Sequence, residues 1–528
     1  MSSLRNTVRF PLSYDLGILA VCLLLLPAEA SAGGGVATRP SKPAVSPAAP
    51  DLDPIFAQWN SADTPGCVVG VERAGGDVLI RAYGMADLES GTPNSADTVF
   101  EAGSVSKQFT AAAALKLVEA GKLRLDTDVR TIIPELPDYG HVITVDSLLN
   151  HTSGLRDWGA VVGLAGWPRG SRIFTQNDFL GVVAKQRALN FEPGAESSYT
   201  NTGYNLLTEI VRRVSGKSLA EFSQEVFFRP LGMTQTQWRD DFRRIVPKRA
   251  TAYDWTRAGY EQEMPFENTY GNGGLLTTVG DLLAWNRALD SGALGAFVTK
   301  KLAERSTLRD GRKLTYGRGL FNYNFRGTEE ISHAGSTAGY RAWLGRYPSQ
   351  HLSVAMLCNA SNAETGLARK VSARFLPEVR ERGQTKKPLD GLFVDQATGA
   401  PLSSERYQET PSRIVSKDRV ELTGRDGNVA VFLRTGPVEP AAVHYADYAG
   451  HYRSDEIDAT YVIVADGAGL SWRIQDRPDF AESLKPVYRD GFQGKSAVVR
   501  FVRDGTGRVS ALAIGVDRAR NVRFDRLP

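Results

Sequence analysis

Cysteine is scarce, with three in 528 residues. No C-x-x-C pair occurs, so neither a cysteine zinc site nor a dithiol redox motif organises the chain. Histidine is scarce too, with six, and no H-E-x-x-H or similar ligand spacing is present. No metal or other cofactor is expected. An excess of one charge is also missing: 63 basic residues stand against 59 acidic ones, a net charge of +4. No basic stripe or block of like charge runs along the sequence, which argues against nucleic acid or an anionic membrane surface as a partner. Beyond Leu26 no apolar run is long enough to span a bilayer. What remains is ordinary for a soluble globular protein, 42% hydrophobic and 23% charged. The length suits two or three structural units.

The N-terminus carries a targeting pattern. Arg5 and Arg9 precede the apolar run LGILAVCLLLL (Leu16 to Leu26), and small residues follow at Ala28, Ala30, Ser31 and Ala32. This is the layout of a secretory signal peptide over 1–32, cleaved after Ala30 or Ala32; an uncleaved anchor is the alternative. The chain is therefore expected to be exported, periplasmic or secreted, with no stable membrane span after cleavage. Residues 33–50, GGGVATRPSKPAVSPAAP, offer almost nothing to bury and read as a flexible linker. Cys67 and Cys358 lie in apolar strand-like runs. Two buried thiols are the default expectation, and a disulfide is the alternative in an exported chain.

From Asp51 the chain reads as globular. CVVGVERAGGDVLIRAYG (Cys67 to Gly84) is a hairpin signal around Gly-Gly. Helical periodicity follows, from Ser104 to Gly121 and over Gly203 to Val214, where Leu206, Leu207, Ile210, Val211 and Val214 share a face. Ser218 with Glu221 and Thr278 with Asp281 read as capping boxes. Strand character returns over Glu330 to Pro348 and Leu352 to Ala360, before a last helical stretch near Ala363 to Leu376. Strands at both ends with helices between suit one sheet covered by helices, with a helical insert, over residues 51–380. After the polar stretch ERGQTKKP (Glu381 to Pro388) the pattern becomes short alternating runs and tight turns, with Asp-Gly at 426–427, 466–467 and 504–505. Residues 381–528 therefore read as an all-β barrel.

Three short segments carry chemistry. Ser104 and Lys107 open an apolar helix one turn apart. A helix N-terminus favours charge developing on a serine oxygen, and a desolvated lysine can share its proton. Tyr199 and Asn201, in YTN, lie between a Pro-Gly turn and the next helix. The phenol can act as a base, and the amide offers both a donor and an acceptor to a substrate carbonyl or amide. His333, Ala334 and Gly335 lie in a strand, where glycine admits close backbone approach. The N–H of Ser336, with that of Ser104, could form an oxyanion hole.

The order S-x-x-K, Y-x-N, H-x-G resembles the serine hydrolases of the penicillin-binding-protein and class C β-lactamase superfamily, as do GSVSKQFTA, LLNHTSGL, SSYTNTGYNLL and GNGGLLTTVGDLLAW. The resemblance covers roughly residues 51 to 377. It implies an α/β fold, a three-layer α/β/α domain with an antiparallel sheet and a helical subdomain. It further implies Ser104 as the acylated nucleophile, Lys107 as the proton-sharing lysine and Tyr199 as base and later acid. Asn201, His333, Gly335 and Ser336 would be substrate-binding. The family's third motif is usually K-T-G; the histidine here weakens anchoring of a substrate carboxylate. The implied activity is an esterase or a D-amino-acid peptidase or amidase acting on a small ester, amide or peptide. The alternatives are a β-lactamase or DD-carboxypeptidase and, without turnover, a penicillin-binding sensor or scaffold. The C-terminal part resembles the lipocalin-like domain appended to such hydrolases, and is expected to be a packing appendage. Specificity is expected from the loops around Trp158, Trp167 and Tyr270. The oligomeric state is left open.

Overall fold

The computed structural model describes residues 50–73, 76–378, 386–466, 469–495 and 497–528. The expected signal peptide, nearly all of the lead-in and most of the polar hinge at 381–388 lie outside the described residues.

The N-terminal part of the described chain is built on a six-stranded sheet. Its strands are β1 (Cys67–Glu72), β2 (Val78–Tyr83), β3 (Phe321–Phe325), β4 (Thr328–Thr337), β5 (Tyr340–Tyr347) and β6 (Leu352–Cys358). The spatial order is β3-β4-β5-β6-β1-β2, antiparallel throughout. Every residue of β1 and β6 is buried, because both faces of the sheet are covered. Val69, Val71, Val354 and Met356 pack with Phe56, Leu367 and Val371 on one face. Val68, Ala355 and Leu357 point the other way, into a core shared with the helices. Alternate side chains of one strand thus serve two layers, giving the three-layer arrangement.

Four helices matter for the site: α1 (Lys107–Glu119), α2 (Trp158–Leu164), α3 (Asn201–Ser215) and α4 (Val279–Ser291). Of the two expected capping boxes one is complete and the other half-formed, because the Asp281 carboxylate accepts from the Gln235 N–H and the Thr236 hydroxyl. The Thr278 side chain accepts from the Asp281 N–H, and Ser218 and Glu221 form a reciprocal capping box. Helix α3 ends at Gly216 in the left-handed conformation. Helix α1 runs through the core, its Phe109 ring 4.0 Å from that of Trp285 on α4.

Two readings of the sequence are corrected here. Cys67 and Cys358 are not free thiols: β1 and β6 are neighbours, the two cysteines are in register, and they are bonded. The residues lie 291 apart in sequence, so only strand order reveals the pair. The C-terminal region is not a single barrel either. Strands β7 (Leu392–Asp395), β8 (Ser412–Ser416), β9 (Arg419–Thr423) and β10 (Val429–Thr435) make a separate four-stranded sheet, with its own small core around Phe393, Tyr407, Val420 and Phe432.

The closed eight-stranded barrel follows. Its strands are β11 (Gly450–Ser454), β12 (Ala459–Ala465), β13 (Leu470–Ile474), β14 (Arg477–Tyr488), β15 (Gly491–Gln493), β16 (Val498–Arg503), β17 (Val509–Val516) and β18 (Ala519–Arg526). Closure is made by β18 pairing back on β11, Tyr452 opposite Arg526, which removes exposed strand edges. The interior is filled by side chains such as Tyr452, Tyr461, Trp472, Phe501 and Phe524. Among the described residues no helix is long and apolar enough to cross a membrane.

Candidate active site

Ser104 lies on a single 3-10 turn, Gly103–Ser106, that leads directly into α1. Lys107 is fully buried. Its Nζ donates to Asn201 Oδ1 at 2.8 Å and to the Asn272 carbonyl at 2.7 Å, and lies 3.1 Å from Ser104 Oγ. Burial drives its pKa well below that of an ordinary lysine; the Arg518 charge pushes the same way, and the Asp157 carboxylate opposes them. A neutral amine has two N–H groups for the two fixed oxygens and one lone pair for the serine proton. The three partners fit that inventory.

The second segment enters at the start of α3. Thr200 caps this helix by accepting from the Thr202 N–H. Asp157 Oδ2 accepts from the Asn201 N–H at 2.6 Å, and its Oδ1 from the Ala160 N–H at the start of α2. One carboxylate therefore joins two helix N-termini, where negative charge is favoured. His151 Nδ1 accepts from the Thr200 N–H at 3.3 Å. The His151 ring lies 4.4 Å from that of Tyr199, and Lys107 Nζ lies 4.8 Å from the Tyr199 ring centroid. The Tyr199 hydroxyl is buried and has no hydrogen-bond partner among the described residues. Burial raises its pKa above the ordinary phenol value, while the nearby Ser104 hydroxyl and then Arg518 pull it down.

Strand β4 supplies the third segment. A Cβ at Gly335 would lie 2.1 Å from the Ala102 carbonyl and 3.1 Å from the Ser104 nitrogen. A Cβ at Gly103, which has a φ of +49°, would lie 2.6 Å from the Ser336 nitrogen. Only glycine on both sides lets the turn meet the strand edge, and this approach draws the Ser104 and Ser336 amides together. His333 is nearly fully buried. Its Nδ1–H donates to the Ala334 carbonyl at 2.6 Å, and Nε2 lies 3.4 Å from the Tyr316 hydroxyl. Burial, reinforced by Lys107, lowers the His333 pKa to about 3.

All seven residues singled out from the sequence, Ser104, Lys107, Tyr199, Asn201, His333, Gly335 and Ser336, line or adjoin one cleft of about 810 Å³. Its opposite wall comes from distant chain. Arg425 and Asp426 stand on the turn between β9 and β10, and Asp517 and Arg518 on the turn between β17 and β18. Both turns are fixed to the catalytic part. The Thr315 N–H donates to the Asp426 carbonyl at 2.8 Å. The Arg518 carbonyl accepts from the Asp157 N–H at 3.0 Å and from Asn190 Nδ2 at 3.2 Å. The buried Arg156 meets Glu456 at 2.5 Å. The barrel is therefore more than a packing appendage, since it forms part of the cleft wall.

In the loops expected to set specificity, the aromatic side chains serve packing. Trp158 is buried as the first residue of α2, donating to Asn205 and packing against Phe174 and Phe179. Trp167 lies under the Arg477 guanidinium of the barrel, 3.9 Å from ring centroid to Cζ. Tyr270 packs on Trp238. None of the three rings lines the cleft, but their loops reach it through Arg169 beside Trp167 and through Asn272 and Gly273 beside Tyr270. Asp157, His151, Asn272 and Arg518 were missed from sequence. Asn272 acts through its carbonyl, which every residue has, and Arg518 sits in a turn with no recognisable pattern. His151 lies within the quoted LLNHTSGL stretch and Asp157 two residues beyond it, so both could have been found there.

A model of the family described as Beta-lactamase matches residues 53–375. The D-aminopeptidase of Brucella anthropi is 27% identical over 517 residues, covering 88% of this chain and 95% of that protein. The solved penicillin-binding protein from Bacillus halodurans is 25% identical with a TM-score of 0.53, covering 61% of this chain and 98% of its own. The octameric penicillin-binding protein homologue from Pyrococcus abyssi is 22% identical with a TM-score of 0.52, covering 88% of this chain and 96% of its own. The match spans the serine turn, the lysine helix and the strand that carries His333, and on that ground this chain is a serine hydrolase belonging to the Beta-lactamase family.

Proposed function

We propose that the protein is a D-aminopeptidase or D-amino-acid amidase, working through an acyl-enzyme on Ser104. One observation carries the reading: Lys107 is held by two oxygens with its remaining position facing Ser104 Oγ at 3.1 Å, in a cleft whose far wall presents carboxylates. Lys107, as the amine, takes the Ser104 proton while Oγ attacks the substrate carbonyl. The Ser104 and Ser336 N–H groups receive the oxyanion. When the C–N bond breaks, the Tyr199 hydroxyl gives its proton to the leaving nitrogen and becomes a phenolate. Water then attacks the ester; its proton passes to the phenolate, and Ser104 leaves with the proton held on Lys107. All three side chains return to their starting forms.

The substrate class is supported from two sides. Asp426 and Asp517 are the carboxylates of the cleft wall, suited to a free ammonium group one atom from the scissile carbonyl. The D-aminopeptidase of Brucella anthropi aligns across 88% of this chain, beyond the family match and into the part that supplies those turns. A neutral His333 offers no cation where the K-T-G lysine would stand, which disfavours the β-lactamase alternative. The test is hydrolysis of D-alanine and L-alanine p-nitroanilides beside nitrocefin, with intact-mass detection of an acyl adduct on Ser104. The expected result is turnover of the D-isomer with little of the L-isomer or nitrocefin. Preference for the L-isomer, or an adduct without turnover, would sink the reading.

Export is part of the same proposal. The basic, apolar and small-residue segments of the N-terminus support it, as does the Cys67–Cys358 disulfide, which suits an oxidising compartment. Fractionation of expressing cells, with mass measurement of the mature N-terminus, tests it; an uncleaved cytoplasmic product would overturn it.

A further inference from the structure

The cleft holds a cation that the hydrolytic scheme above leaves without a task. Arg518 stands on the β17–β18 turn of the barrel, and its guanidinium carbon lies 5.0 Å from the centroid of the Tyr199 ring. The turn is fixed by the Arg518 backbone, whose carbonyl accepts from Asp157 and Asn190. The side chain is thus free to serve another purpose. Among the described residues it pairs only with its neighbour Asp517, at 3.3 Å, and the Asp517 side chain is 91% exposed, so that pairing is weak.

The other groups around Tyr199 are few. Ser104 and Lys107 face it from the turn and α1, His151 and Asp157 from the segment before α2, and Tyr316 and His333 from the far side. His333 is buried beside Lys107, and both effects keep its ring neutral. His151 accepts at Nδ1 and is buried beside Lys107, so it adds no positive charge either. Once Tyr199 releases its proton, a phenolate must exist in a buried site for the lifetime of the acyl-enzyme. Lys107 carries charge at that stage; the remaining fixed cation on the ring is Arg518.

We propose that Arg518 is a positioning residue for Tyr199: the barrel supplies the fixed positive charge that allows the phenol to protonate a basic leaving group. A guanidinium over an aromatic ring favours the ring's negative state more than its neutral one. Its influence on Tyr199 opposes that of burial. The step it assists is the transfer of one proton from the Tyr199 oxygen to the leaving atom as the acyl bond breaks. The proposal rests on the role assigned to Tyr199, and is independent of the preference for D-amino acids.

The test compares p-nitrophenyl acetate, whose leaving group departs without a proton, with phenyl acetate, whose leaving group is more basic. The readout is kcat/KM, which covers the steps through acylation. Arg518→Gln should lower kcat/KM for phenyl acetate by roughly tenfold or more and for p-nitrophenyl acetate by no more than about threefold, as expected for loss of about one pKa unit of support at the phenol. Arg518→Lys should recover most of the loss. In a Tyr199→Phe background, Arg518→Gln should add nothing, because the group it acts through is gone. Equal losses on both esters would mean that the hairpin has merely shifted, and no loss on phenyl acetate would mean that Arg518 has no part in the transfer; either overturns the proposal. If Tyr199→Phe alone leaves both esters unchanged, the role of Tyr199 fails first, and the proposal falls with it.

Discussion

The two walls of the cleft are built on opposite principles. The wall of α1, α3 and β4 is buried and closely hydrogen-bonded around its amine: Lys107 is enclosed, Asn201 and His333 are nearly so, and backbone meets backbone between Gly103 and Ser336. The wall of the β9–β10 and β17–β18 turns is wetter, and its Arg518 side chain is 40% exposed. The difference follows from the work each must do. A lysine lowers its pKa only where water is excluded, so the reacting groups need a rigid core around them. Recognition of a substrate end needs a charged tip that water can reach and leave.

Substitutions on the two walls should therefore differ in kind. The largest effect belongs to the buried wall: Ser104→Ala should lower kcat by about 10⁴-fold or more and abolish the acyl adduct seen by mass spectrometry. Next, Lys107→Ala and Tyr199→Phe should each cost roughly 10²- to 10⁴-fold in kcat. The buried wall also sets the pH profile. Lys107 must be the free amine, and its pKa is depressed by burial; kcat/KM should stay high well below the ordinary lysine pKa and fall on the acid side as Lys107 gains its proton. A profile that falls only near the ordinary lysine range would remove the contrast between the walls. The exposed wall should answer in KM: Asp517→Asn is expected to raise KM for D-alanine p-nitroanilide by roughly tenfold with kcat little changed, through loss of a charge-assisted contact. An equal fall in kcat would place Asp517 with the chemistry. Smallest for catalysis, Cys358→Ser acts away from both walls; it should lower stability by about 2–4 kcal/mol, read as a shift in the urea midpoint, with kcat/KM retained in the folded enzyme.

The same division explains what the sequence made legible. Ser104 and Lys107 declare themselves because a helical turn fixes their spacing, and Tyr199 and Asn201 because a helix start follows them. Caps at Thr278 and Ser218 are local, so they could be located before any fold was known. The disulfide was hidden because Cys67 and Cys358 become neighbours only through strand order. Arg518 and Asp517 were hidden for a stronger reason: a hairpin tip obeys no burial period, and its place in the cleft depends on how a barrel docks. Trp158 misled for the converse reason. Its indole anchors the first turn of α2 through Asn205, so an aromatic residue near the motif served packing and not recognition.

The carbonyl of Arg518 is held by the amide of Asp157, whose carboxylate in turn holds the amide of Asn201. Ser104 and Lys107 leave the ribosome first; the guanidinium that faces the phenol is synthesised several hundred residues later. A nascent chain thus carries the nucleophile and its amine long before it carries the whole reaction chamber, and its cutting power ripens only when the Arg518 hairpin docks.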